Sequence, residues 1–186
     1  MPLSAPAPRE HLHTRTVTVY GYRRQDGLYD IEGHLTDLPT GLYVHDELGP
    51  QPPGTPVHNM WLRLTIDREM VVHGAEAVMD HWPHSLCPNV TPNFKRLVGL
   101  KIGPGWRREI KRRLGGIEGC THLVELLQPI ATTAYQTLYG DLREEVRKPD
   151  PTKTEQRPFE IDGCYSWASD GPMVKQYYPG FYTGDA

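Results

Sequence analysis

Three cysteines and several well-placed histidines are the residues of this chain whose chemistry reaches beyond packing. Cys120 is the first of them. It follows Gly115-Gly116-Ile117-Glu118-Gly119, a flexible approach, and stands where a long helical pattern begins. Unpaired N–H groups and the positive dipole end of a helix start stabilise a thiolate. His122 falls in the first turn of the same helix. Cys120 as nucleophile and His122 as general base are therefore the candidate catalytic residues. Cys87, in Pro83-His84-Ser85-Leu86-Cys87-Pro88, sits at a junction between elements, and His58 reads as a loop histidine just before a strand. Together with Cys120 and with Cys164 from the tail, they make a candidate metal set. Thiolate and imidazole ligands favour zinc or an iron–sulfur cluster over hard cations. No close CxxC or HxxxH pair is present, so such a site has to be assembled in three dimensions. Each of these residues also has a plainer reading, since a free cysteine behaves as a small buried hydrophobe.

Two further groups are polar without being reactive. Asp30, Glu32, His34 and Asp37 form a cluster on an alternating strand, where alternation of this kind reads as a solvated face. Arg107, Arg108, Lys111, Arg112 and Arg113 make a basic helix face, solvated by default or docking an acidic protein partner or anionic ligand. Gly99, Gly103 and Gly105 lack the terminal Gly-Lys-Ser/Thr of a phosphate loop.

The elements that position these groups follow from periodicity. Arg15 to Tyr22 is rich in β-branched and aromatic residues, and Asp26-Gly27 is a strong hairpin signal. The return strand, Leu28 to Thr36, places Ile31, Gly33 and Leu35 on one face and Asp30, Glu32 and His34 on the other. Residues 38 to 56, punctuated by proline and glycine, read as a loop. Met60, Leu62, Leu64 and Ile66 then alternate with Trp61, Arg63 and Thr65, and Asp67-Arg68-Glu69 turns the chain into a fourth strand, Met70 to Ala77. After Cys87 the period changes to helical. Thr91-Pro92 starts one helix, Trp106 to Leu114 forms a second, and a third begins near Cys120 or Thr121. Leu123, Leu126, Leu127, Ile130, Ala134 and Leu138 keep that spacing through Pro129, which should kink the helix rather than end it. Pro149 and Pro151 stop helix formation.

At 186 residues the chain is long enough to bury a core as one domain. A formal charge of -3, from 20 basic and 23 acidic residues, argues against a nucleic-acid binder. No apolar run is long enough to span a bilayer, and the proline-bearing start lacks a leader's apolar stretch, so the expected location is cytoplasmic. There, three widely spaced cysteines stay reduced.

The sequence resembles a bacterial family designated domain-of-unknown-function family 2889. The resemblance rests on His11-Leu12-His13-Thr14-Arg15, Asp26-Gly27 with Asp30-Ile31-Glu32-Gly33, Met60 to Thr65, Leu97-Val98-Gly99 with Gly103-Pro104-Gly105-Trp106, and Gly119-Cys120-Thr121-His122-Leu123 with Glu125-Leu126-Leu127. It implies no activity. A weaker similarity, over residues 58–139, is to the scaffold proteins of iron–sulfur cluster assembly. It sets Cys87 and Cys120 where that family has two of its three ligand cysteines, and His58 near its ligand aspartate. Pro56 stands near the place of the first cysteine. Gly119 precedes Cys120 where the family has a histidine, while His122 follows it.

These readings predict an α+β protein: an antiparallel sheet of two successive hairpins, three helices packed on one face, and an extended C-terminal arm. Residues 1–149 form the domain and 150–186 the arm that packs on it. The expected function is a metal- or iron–sulfur-binding protein with a cysteine/histidine site. The rivals are a small-molecule enzyme using Cys120 and His122, and an interaction module with a basic helix face.

Overall fold

The structure, a computed structural model, describes residues 3–141, 157–158 and 160–184. The chain divides into two compact units, Met1–Asp141 and Leu142–Ala186.

The first unit is built on a four-stranded antiparallel sheet in the order β1-β2-β5-β6. Its strands are β1 (His13–Arg23), β2 (Tyr29–Pro39), β5 (His58–Ile66) and β6 (Val72–His81). Asp26-Gly27 makes the first turn as its residue types predict, with Gly27 in the left-handed region at φ 85°. Alternation then sorts the faces. Tyr29, Ile31, Gly33, Leu35 and Asp37 of β2 are buried, while Asp30, Glu32, His34 and Thr36 are half-buried on the other side. In β5 the buried set is His58, Met60, Leu62, Leu64 and Ile66. Within 38–56, where the sequence reads as loop, β3 (Tyr43–His45) and β4 (Gly49–Gln51) pair as a short ribbon turned by Gly49 at φ 73°. Pro50 at its edge does not break it, because a two-stranded ribbon has free edges.

The helical layer follows the sheet. Cys87–Leu97 is a 3-10 segment rather than an α-helix and starts four residues before Thr91; Pro88 opens it and Pro92 lies within it. Helix α1 (Trp106–Leu114) buries Trp106, Ile110 and Leu114. Helix α2 (Thr121–Asp141) runs on through Pro129 and buries Leu123, Leu126, Leu127, Ile130, Ala131, Ala134 and Leu138. It lies across β1, β2 and β5. Gly33 explains how closely: a Cβ there would meet Ile130 Cδ1 at 2.8 Å, so the bare backbone is what lets α2 approach. Trp106 fixes α1 to α2 by donating its indole N–H to the Leu127 carbonyl at 3.4 Å. No helix among the described residues is long and apolar enough to cross a membrane.

The second unit was expected to be an extended arm. Its described residues are instead short helical turns: a 3-10 turn at Tyr165–Trp167, helix α3 (Pro172–Tyr177) and a 3-10 turn at Pro179–Phe181. Val174 and Ile161 are buried there, and the Trp167 ring touches Tyr177 and Tyr178. These apolar contacts favour local compaction over an extended path. Pro149 and Pro151, with the 149/150 boundary read from them, lie outside the described residues.

Leu127 is fully buried where α2 seals the sheet. Leu127→Ala should lower the unfolding free energy by about 2–5 kcal/mol in urea denaturation followed by circular dichroism. A change near zero would mean that α2 does not close this core.

Candidate metal centre

One transverse row of the sheet gathers the polar residues of the helix-covered face. In the β1–β2 register Arg15 lies opposite Asp37, and in the β2–β5 register Asp37 lies opposite His58. Three neighbouring strands therefore present Arg15, Asp37 and His58 side by side. Helix α2 starts above this row, so its first two turns add His122 and Glu125.

The Asp37 carboxylate is the centre of the row. The residue is 1 % exposed and its two oxygens accept four hydrogen bonds. Arg15 grips it as a fork, Nε to Oδ1 and Nη2 to Oδ2, both at 2.8 Å. His13 Nε2 donates to Oδ1 at 2.9 Å and His58 Nδ1 donates to Oδ2 at 2.9 Å. Burial pushes the Asp37 pKa up. The Arg15 and His13 hydrogen bonds, the Arg15 charge and the His58 bond outweigh it and hold the carboxyl well below the usual range. An ionised carboxylate only accepts, so His58 Nδ1 carries the proton and Nε2 keeps its lone pair.

His58 is 8 % exposed and His122 is half-buried. Their rings lie against each other, centroids 3.7 Å apart and planes 33° apart. Burial lowers the His58 pKa, as does the proximity of His122 and Arg15, against the opposing pull of Asp37. Burial and then the Arg15 charge lower that of His122, against Asp37 and Glu125. Both imidazoles are thus neutral at pH 7, the form that ligates metals and accepts protons. One ligand atom each from Asp37, His58 and His122 all lie within 4.8 Å of one another. Two nitrogens on a tetrahedral zinc stand about 3.4 Å apart, a separation that falls within this limit.

The predicted residues divide accordingly. His58 and His122 come together, although His58 is the first residue of β5 and not a loop histidine. Among the described residues, this is the group of three or more histidine, cysteine and carboxylate ligands that converges, and no cysteine belongs to it. Cys87 opens the 3-10 segment and Cys120 precedes α2, its carbonyl accepting the Val124 N–H at 2.9 Å. Both are half-buried against the hydrophobic core. Cys164 is exposed in the second unit. Asp37 does not share the solvated face with Asp30, Glu32 and His34. Those three bond Thr65, Arg63 and Asn59 on the open side of the sheet, where His34 also stacks on Trp61 at 3.7 Å. Parity held the signal, since 37 continues the series 31, 33, 35. Arg15 and His13 were missed with it. The basic face of α1 is exposed at Arg107, Arg108, Lys111 and Arg112, with Glu109 taking Arg112 and Gln128 taking Arg107.

Fold and site together define an α+β protein with a carboxylate and two histidines converging beneath a helix start. The family model described as "Protein of unknown function (DUF2889)" matches residues 13–136, and the chain belongs to that family. The match spans His13, Arg15, Asp37, His58, His122 and Glu125. No curated protein and no solved structure matches the chain, so the similarity of residues 58–139 to cluster-assembly scaffolds is carried by none of these comparisons.

The depressed pKa values fix a sign. A histidine that titrates lower when folded than its ordinary value of about 6.5 lets the unfolded chain take up protons first as the pH falls. Its stabilisation is complete above that value and is lost as the pH falls through the folded pKa. Asp37, also depressed, extends the loss below the ordinary carboxylate value of about 3.9. The melting temperature should therefore fall between pH 7.5 and 5, and His122→Gln should flatten that slope. Parallel slopes for the two proteins in calorimetry would contradict the assignment.

Proposed function

We propose that the protein binds one divalent transition-metal ion, zinc in the first instance, through Asp37, His58 and His122. The observation that carries this reading is the convergence of three ligand atoms within 4.8 Å on residues that are buried or half-buried. Two neutral imidazoles and one carboxylate suit zinc, manganese or ferrous iron. The 2.9 Å spacing of Asp37 Oδ2 and His58 Nδ1 is one that a shared ion can span as well as a proton. An ion held at Nδ1 would then take the other neutral tautomer of His58, with its single proton on Nε2. Three protein ligands leave a fourth position for water or a ligand, as in catalytic zinc sites and unlike closed structural ones. An iron–sulfur cluster is less well supported, because clusters are held by thiolates and no cysteine joins this group.

A second reading is favoured by the Asp37–His58 hydrogen bond itself. A carboxylate holding one imidazole nitrogen orients the other as a general base, so the same row would serve metal-free acid–base catalysis of a small molecule. The two readings part on metal content.

Protein equilibrated with zinc and passed through gel filtration should retain one ion per chain by mass spectrometry of the metal. His58→Ala and His122→Ala should each lose it. Cys87→Ser and Cys120→Ser should keep it, and so should His73→Ala, whose ring is held by Asp67 at 2.6 Å. A wild-type chain that retains no zinc, or a cysteine variant that loses it, would overturn the proposal.

A further inference from the structure

The geometry points to Arg15 as a built-in counter-cation that occupies Asp37 in the absence of metal and moves to Glu125 when metal binds, setting the site's affinity. This rests on the metal reading above and concerns how that site is regulated.

Arg15 spans two carboxylates of different character. Its Nε and Nη2 hold the buried Asp37, and its Nη1 donates to Glu125 Oε2 at 2.7 Å. The Asp37 side chain is 2 % exposed and that of Glu125 53 %. The guanidinium thus bridges the interior of the site and its solvent side from a single position. Because Arg15 and Asp37 are direct cross-strand partners, the fork needs no special backbone to form or to open.

A divalent ion on the same carboxylate would stand beside that guanidinium. Arginine does not lose its proton, so the repulsion cannot be relieved by titration. It is relieved by movement, and Glu125, in the second turn of α2, already holds one corner of the fork. The exchange keeps the carboxylate compensated in both states, by Arg15 without metal and by the ion with it. A buried charge left alone would be costly, and this arrangement never leaves one. The corollary is a site that stays folded when empty and holds its metal less tightly than the same ligands would without Arg15.

Zinc affinity should be measured by competition with a chromophoric chelator for wild type, Arg15→Met and Glu125→Gln. Removing the competing cation should tighten binding at least tenfold in Arg15→Met. Glu125→Gln removes the charged destination and should weaken binding severalfold; as a surface change it also keeps the test decisive if Arg15→Met folds poorly. Wild-type binding with Arg15→Met unchanged or weaker, or with Glu125→Gln unchanged, would overturn the exchange and leave the metal site standing. No zinc binding by wild type or Arg15→Met would overturn the metal reading itself.

Discussion

An ionised carboxylate buried in a protein interior has to be compensated where it stands, and the upper end of this fold is arranged around meeting that requirement for Asp37. Left alone, the buried charge would cost several kcal/mol even after relaxation. Four donors from three side chains remove the penalty, and each arrives through a regular element. Arg15 and Asp37 face each other because β1 and β2 pair in one register; His58 faces Asp37 because β2 and β5 do. A one-residue slip in either pairing would turn the partner to the open face of the sheet. The carboxylate therefore works with the apolar alternation of these strands in specifying register.

The same constraint explains the place of α2. Its first two turns bring His122 against His58 and Glu125 against Arg15, so the helix start is tied to the row at two points. Farther along, Ile130 sits over Gly33, where the backbone is bare enough to admit it. Packing and polar contacts thus set the same helix position, one at its middle and one at its beginning. The 3-10 segment and α1 fill the remaining core through Phe94, Leu97, Trp106, Ile110 and Leu114.

Much of this was legible in the residues. Period-two alternation marked β2 and β5, Asp26-Gly27 marked the first turn, and helical spacing carried α2 through its proline. The ribbon at 43–51 was hidden because proline and glycine punctuate it as they would a loop. His58 reads as a loop residue just before a strand, yet its even number sets it on the face of Met60 and Leu62. Asp37 was grouped with acidic neighbours by composition when parity assigned it to the core. The cysteines drew weight from their softness as ligands, but Cys87 and Cys120 pack on apolar neighbours as small hydrophobes do. No local pattern reveals Arg15, since its role exists only once three strands are paired.

The central claim is that nitrogen and oxygen, not sulfur, meet the metal. X-ray absorption at the zinc edge of the loaded protein tests it directly. The account predicts a first shell of nitrogen and oxygen at about 2.0–2.1 Å, with the outer scattering of two imidazole rings. A sulfur shell at about 2.3 Å would contradict it and place the ion on the cysteines instead.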